Sequence, residues 1–284
     1  MQYINENKLG NEKIGRYMDK LLKLAYPFSP YCLVCDAIIP LENDYGICNG
    51  CMKKFGWGHI NIHASDRLRE IQKRSFLDSA ISCTTYGMYE RKLISRLKFG
   101  RKTYYARTIG KIMADRVLSD DEMAEIYLKV DYLIPVPIHE KKLNERGFNQ
   151  CNLIAKFFRQ KMPEMFEFEL KNDALFRNRE TPPMKNISGY ERYVNLEEAF
   201  TLNEEIEIKG KSVILLDDVY TTGSTAEHCA IALKEAGAKE VHFISYAVRS
   251  SDITGVENEK EPKLEKYRIG EESIFLQESR NMNK

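Results

Sequence analysis

Ser212–Thr225, SVILLDDVYTTGST, is the stretch on which the reading of this chain turns. A run of mostly branched apolar residues, Val213 to Leu216, meets two adjacent carboxylates, Asp217 and Asp218, and then a loop of small hydroxylated residues around Gly223. The apolar run is too short for a helix and reads as a strand buried on both faces that ends at the acids. From Ala226 onward, Ile231, Leu233 and Ala236 with a closing Gly237 read as a helix and its stop signal. Val241 to Val248 is the next strand, so the whole makes a parallel crossover unit. Open sheets of this kind bind ligands at the carboxyl ends of their strands, where the paired acids fall. Thr221, Thr222, Gly223, Ser224 and Thr225 lie at the start of the helix, where free N–H groups and the helix dipole suit a phosphate. A plain helix cap has no need of two carboxylates and five small polar residues. The combination points to a ligand carrying a phosphate and a pair of sugar hydroxyls.

The same residues resemble a known motif. VILLDDVYTTGST is similar to the phosphoribosyl-pyrophosphate (PRPP) motif of type I phosphoribosyltransferases, with four apolar residues, two acids and then T-T-G-S-T. The resemblance implies an α/β fold, a parallel sheet flanked by helices. It also implies Asp217 and Asp218 at the ribose hydroxyls, directly or through Mg²⁺, and Thr221–Thr225 around the 5′-phosphate.

At 284 residues the chain has room for one α/β domain and a smaller module, and 43% apolar residues are enough for a core. A formal charge of +1 gives no global field for nucleic acid or membrane, so any such case rests on local patches. The N-terminal MQYINENKLG lacks a signal-peptide core, and no apolar run approaches the ~20 residues that span a bilayer. A cytoplasmic protein is expected. Residues 1–28 read as an amphipathic helix closed by Pro27, 61–250 as the main domain, and 251–284 as a charged, partly disordered tail.

Residues 29–60 carry Cys32, Cys35, Cys48 and Cys51, two C-x2-C pairs twelve residues apart. Four thiolates complete a tetrahedral site with no open position, the structural type of zinc site. A pair of disulfides is disfavoured in a reducing compartment, and a redox motif has no use for a second copy. His59 and His63 read as surface residues; Cys83, Cys151 and Cys229 read as ordinary core thiols.

Two further segments carry site residues. PVPIHEKKLNERGFNQ begins at Pro135, at the end of the predicted strand YLIPVP, and supplies a basic loop before a helix. Pro137, His139, Lys142 and Arg146 are the candidates for holding a pyrophosphate there. Segment 177–198, a polar insertion between ALF and AFTL, fits a mobile lid, with Arg179, Thr181 and Arg192 as its candidate contacts.

Together with the four-cysteine knuckle, these segments resemble the ComF (competence protein F) family. Its members carry P-V-P-x-H, a basic loop, R-G-F-N-Q, and later R-x-R-x-T-P-P-Q. Met184 departs from that pattern, standing where glutamine is usual. The resemblance implies Mg-PRPP binding, with DNA-uptake proteins as partners and a role in natural transformation and the handling of single-stranded DNA. Arg91–Arg107 adds independent support, with seven basic residues, no acid, and Phe99, Tyr104 and Tyr105 interleaved. Arg96, Lys98, Arg101 and Lys102 are the candidate contacts for single-stranded DNA or phosphate. Two alternatives stay open: a phosphoribosyltransferase (a pentosyl transferase) acting on an unidentified base with no DNA role, and a sensor that binds PRPP without turnover.

Overall fold

The computed structural model describes residues 30–40, 43–61, 75–178 and 199–249. The expected N-terminal helix, the lid residues Arg179, Thr181 and Arg192, Met184, His63 and the C-terminal tail lie outside the described residues. The described chain divides between Lys53 and Lys54 into two units.

The first unit is the cysteine knuckle. The chain turns back on itself through Cys32 N–H to Ala37 O (2.7 Å), Ile39 N–H to Pro30 O (2.9 Å) and Leu33 N–H to Gly46 O (2.8 Å). Helix α1 (Asn49–Met52) closes it, with the Cys48 side chain accepting from Cys51 N–H at its start. Leu33, Val34, Ile39 and Ile47 are buried within it.

The second unit is built on one six-stranded sheet. In chain order its strands and helices are β1 (Gly56–Asn61), β2 (Ser79–Thr85), α2 (Met88–Phe99), α3 (Tyr105–Leu118), α4 (Asp121–Tyr127), β3 (Tyr132–Pro135), α5 (Glu140–Arg146), α6 (Gln150–Lys161) and β4 (Glu169–Leu170). After them come β5 (Leu175–Arg177), β6 (Phe200–Leu202), β7 (Ser212–Tyr220), α7 (Ser224–Glu235) and β8 (Glu240–Val248). The strand order is β1-β2-β8-β7-β3-β4, and β5 with β6 forms a separate two-stranded sheet. Within the six described strands of the main sheet, β1 at one edge runs antiparallel to its neighbour and the other pairings are parallel, while β5 and β6 pair antiparallel. Among the described residues no helix is long and apolar enough to cross a membrane.

Burial on both faces explains why the central strands read as continuous apolar runs. Val213 and Leu215 of β7 join a core with Val241 and Phe243 of β8, Cys229, Ala230 and Leu233 of α7, and the β5–β6 pair through Leu175 and Phe200. Ile214 and Leu216 alternate to the other face and are equally buried, on the side of α3 and α6. Those two helices cross in backbone contact at Gly110. A Cβ there would lie 2.7 Å from Ile154 O and 2.8 Å from Phe158 N.

The structure departs from the sequence reading in several places. β7 does not end at the acids: its ladder to β8 continues through Asp217↔Ser245 and Val219↔Ala247 to Tyr220↔Val248. The nine-residue β8 is long enough to carry its neighbour past the carboxylates. The basic loop after Pro137 contains helix α5, capped by His139 Nδ1 accepting from Lys141 N–H (3.2 Å) and closed by Gly147 at φ 84°. Sequence analysis assigns no element to 119–130, yet Asp120 accepts from Met123 N–H (3.0 Å) and starts α4 there. β1, grouped with the knuckle in the sequence, belongs to the main sheet. It is held by the buried Glu90 carboxylate, which accepts from Gly56 N–H (2.7 Å) and from Gly87 N–H (3.0 Å).

Gly110→Ala forces the α3–α6 crossing apart. The expected result is a loss of about 1–3 kcal/mol from overpacking, set against a gain of about 1 kcal/mol in helix propensity. Urea denaturation at unchanged m-value measures the net loss; a variant as stable as the parent would contradict the close crossing.

Candidate functional site: a buried acid pair inside a ring of cations

Asp217 and Asp218 sit where the sheet opens. On one side β8 continues beside them, but on the other β3 stops: its last register pair is Pro135↔Leu216, followed by Val136 N–H to Leu216 O (2.9 Å). The acids thus project just past the carboxyl end of β3. Beyond them, Thr221 and Thr222 lead to Gly223, whose φ of 79° is the left-handed conformation glycine adopts without strain. Gly223 is the N-cap of α7, and no side chain caps that helix. Thr222 Oγ1 and Ser224 Oγ lie 3.0 Å apart in the same turn, Ser224 being the first residue of the helix and Thr225 the second. A glycine-capped helix start leaves N–H groups and the positive dipole end for an anion.

Successive strand residues face opposite sides, so the two carboxylates have different surroundings. Asp218 is buried and forms an ion pair with Lys98, from the last turn of α2. Burial alone would raise the Asp218 pKa, but the Lys98 charge and hydrogen bond outweigh it and hold the carboxyl below its ordinary value. The Lys98 ammonium is correspondingly held above its ordinary value, the acids overcoming the cost of its burial. Asp217 has no such partner; burial and the adjacent Asp218 charge push it up to about 7. Asp217 Oδ1 accepts from Asp218 N–H (2.8 Å) and from the Cys151 thiol (3.3 Å).

Further cations close around this pair. Arg146, in the last turn of α5, bonds the buried Gln150 side chain and lies 5.9 Å from the centre of the Phe99 ring. Its charge acts on Asp218. Arg177, the last residue of β5, faces the Phe200 ring at 5.5 Å. Burial lowers its pKa, opposed by the nearby Asp217 carboxylate. Lys142 is depressed too, by burial and by repulsion from Arg177, Arg146 and Lys98. Four cations from α2, two positions of α5, and β5 thus share one electrostatic neighbourhood with two acids. Such a group of mutually repelling cations suits a polyanion better than it suits an empty pocket.

The sequence candidates therefore separate. Asp217, Asp218, Lys142 and Arg146 come together, with Thr221–Thr225 next along the chain from the acids. Pro137 is buried at the end of β3, and His139 serves as the cap of α5. Lys98, grouped in the sequence with Arg96, Arg101 and Lys102, turns to the acid pair. Arg96 interacts with the Tyr105 hydroxyl. Arg101 is exposed, at φ 50°, with Nη2 on Glu145 O (3.4 Å), and Lys102 is exposed. Sequence reasoning missed Arg177, Gln150 and Cys151 as site residues. The signal was present for the first two, since both stand inside the R-x-R and R-G-F-N-Q segments; for Cys151 nothing but its place behind Gln150 marked it.

In the knuckle, the Sγ atoms of Cys32, Cys35, Cys48 and Cys51 all lie within 4.8 Å of one another. Cys35 Sγ and Cys48 Sγ are 3.7 Å apart, too far for a disulfide at ~2.05 Å. That separation fits the edge of a tetrahedron with metal–sulfur bonds of about 2.3 Å. Backbone N–H groups already point at the sulfurs: Val34 (3.5 Å) and Cys48 (3.3 Å) at Cys32, and Cys51 (3.4 Å) at Cys48. The cluster could hold a metal ion.

Comparison with known proteins agrees with the fold and names its lineage. Residues 170–266 match the phosphoribosyl transferase domain. The chain is 32% identical over 210 residues to the DNA utilization protein YhgH of Escherichia coli O157:H7, covering 74% of this chain and 86% of that one. It is 25% identical over 223 residues to competence protein F of Haemophilus influenzae, covering 75% and 95%. With competence protein ComFC of Bacillus subtilis it shares 26% over 239 residues, covering 72% and 89%. An α/β sheet of type I phosphoribosyltransferase character, a four-cysteine module before it and relatives along most of its length place this chain in the ComF family, beside competence protein F and YhgH.

Proposed function

We propose that this chain binds PRPP with Mg²⁺ at the acid pair, and that it serves the use of incoming single-stranded DNA in natural transformation. The observation that carries the first half is the convergence of Lys98, Arg146 and Arg177 on Asp217 and Asp218, with Lys142 beside those three cations. PRPP has the matching charge pattern: a 5′-phosphate, a ribose diol and a pyrophosphate. The glycine-capped start of α7, Thr221–Thr225, takes the 5′-phosphate through backbone N–H groups. Asp217 and Asp218 take the ribose hydroxyls, and the four cations take the pyrophosphate. Mg²⁺ would be held by the same carboxylates and would supply charge neutralisation for the pyrophosphate. Arg179, Thr181 and Arg192, outside the described residues, are proposed as further ligand contacts.

In a transfer reaction a nitrogen nucleophile forms a bond to C1 of the ribose while the C1–O bond breaks and the pyrophosphate leaves with the electron pair. The developing charge is positive at the sugar and negative on the leaving group. In this reading the acids hold the sugar hydroxyls and the cations meet the charge on the leaving group, so catalysis is positioning and electrostatics. A sensor that binds PRPP without turnover uses the same contacts and releases no pyrophosphate. Calorimetric titration of Mg-PRPP is expected to show binding by the parent protein and none by the Asp217→Ala, Asp218→Ala double variant. Equal binding by both, or none by the parent, would sink the reading.

An adjoining surface supports the DNA half. Phe99 is 78% exposed and Tyr104 49% exposed, next to the exposed Arg101 and Lys102. Aromatic faces and cations together suit single strands, the rings stacking on bases and the charges following phosphates. The names of the relatives, competence protein and DNA utilization protein, point the same way. Arg101→Glu with Lys102→Glu is expected to weaken salt-sensitive binding of single-stranded DNA about tenfold or more while leaving Mg-PRPP affinity unchanged. DNA affinity that ignores both the substitutions and the salt would contradict this surface.

The cysteine knuckle is proposed to hold one structural zinc ion, in keeping with a reducing, cytoplasmic setting. Metal analysis of the purified protein should find one zinc per chain, lost in Cys32→Ser with Cys51→Ser. A parent protein free of zinc would reject the assignment.

A further inference from the structure

We infer that Cys151, the second residue of α6, is a positioning residue for Asp217, and that it leaves that carboxylate a single oxygen, Oδ2, to offer a ligand. The inference rests on the PRPP reading above and assigns a role to a thiol that the sequence presents as ordinary core. Three consecutive side chains at the start of α6 each fasten one part of the site. Asn149 caps the helix by accepting from Cys151 N–H (2.9 Å), and its Nδ2 donates to Val136 O (3.0 Å) at the end of β3 and to Asn152 Oδ1 (2.9 Å). Gln150 Oε1 accepts from Arg146. Cys151 Sγ–H donates to Asp217 Oδ1 across 66 residues of sequence, at 3.3 Å.

The direction of the last bond is fixed by its surroundings. Cys151 is fully buried with its Sγ 3.3 Å from Asp217 Oδ1, and of the two groups the thiol carries the hydrogen whereas a carboxylate oxygen only accepts. The thiol therefore acts as donor and the carboxylate as acceptor. Asp218 N–H approaches the same oxygen at 2.8 Å. Two donors on Oδ1 fix the rotation of the carboxyl about its χ2, a torsion that is otherwise broad. A ribose hydroxyl, or a cation beside it, then meets Oδ2 in one preset orientation, with no rotational freedom left to lose on binding. Removing the thiol frees the carboxyl to turn and leaves Asp218 N–H as its sole described restraint.

Serine keeps a donor at this position and alanine does not, so the two substitutions separate hydrogen bonding from packing. In the full-length, zinc-loaded protein, Cys151→Ala is expected to lower Mg-PRPP affinity about tenfold, and Cys151→Ser to recover it to within about threefold. In an Asp217→Asn background, Cys151→Ala is expected to add no further loss, since its effect passes through that carboxylate. Serine as weak as alanine, or losses that simply add, would overturn the role. A second readout is independent of PRPP: the infrared S–H stretch assigned to Cys151 by its absence in Cys151→Ala. It is expected at the lowered frequency of a bonded thiol and to rise in Asp217→Ala. A band already at the free-thiol frequency would refute the contact itself. A bonded thiol in a parent protein that binds no Mg-PRPP would instead overturn the functional reading, and with it the role.

Discussion

The ion pair between Lys98 and Asp218 is the contact on which the arrangement depends. Two carboxylates at neighbouring positions of a buried strand cannot both ionise without compensation, because burial and mutual repulsion act together. One lysine, delivered by the last turn of α2, resolves half of the problem: Asp218 stays charged and Asp217 is driven upward. Lys142, Arg146 and Arg177 add their charge to the same neighbourhood. Lys142 and Arg177 are both depressed, each by burial first, and Lys142 also by its fellow cations. A polyanion with a diol attached would relieve both sides, drawing the cations to its phosphates and the acids to its hydroxyls.

The backbone makes this possible by staggering its strands. β7 and β8 run together to Tyr220 and Val248, whereas β3 stops level with Leu216. The step between them leaves Asp217 and Asp218 without a β3 neighbour while β7 stays paired with β8. The segment after β3 turns into α5 and then α6, so one connection supplies the cations Lys142 and Arg146 and the fastening residues Asn149, Gln150 and Cys151. The β5–β6 pair, packed on the opposite core through Leu175 and Phe200, supplies Arg177. Gly110 matters at a distance, because the closeness of α3 to α6 governs where the start of α6 can stand.

The parts of this design written locally were legible in the sequence. Apolar runs gave the central strands, the acid pair and T-T-G-S-T gave the phosphate-binding turn, and the cysteine spacing gave the knuckle whose sulfurs gather as expected. What the sequence hid were relations between distant segments. Nothing near Lys98 says that it will leave its basic neighbours for a carboxylate 120 positions away. The continuation of β7 past its acids depends on the length of β8, and the strand character of Gly56–Asn61 depends on a sheet edge and on Glu90. Cys151 looked like core because it is core; only its partner makes it more than that. Short α4, started by Asp120, was missed because seven residues of helix, about two turns, carry little periodicity.

The central claim is that the acid pair and the cations around it are two halves of one ligand site, joined by Lys98 until the ligand arrives. A crystal structure of the protein with Mg-PRPP tests it most directly. The expected result is the 5′-phosphate at Thr221–Thr225, the pyrophosphate among Lys98, Lys142, Arg146 and Arg177, and the Lys98 ammonium drawn from Asp218 to a phosphate oxygen. A ligand seated elsewhere, with the Lys98–Asp218 pair intact, would contradict the account.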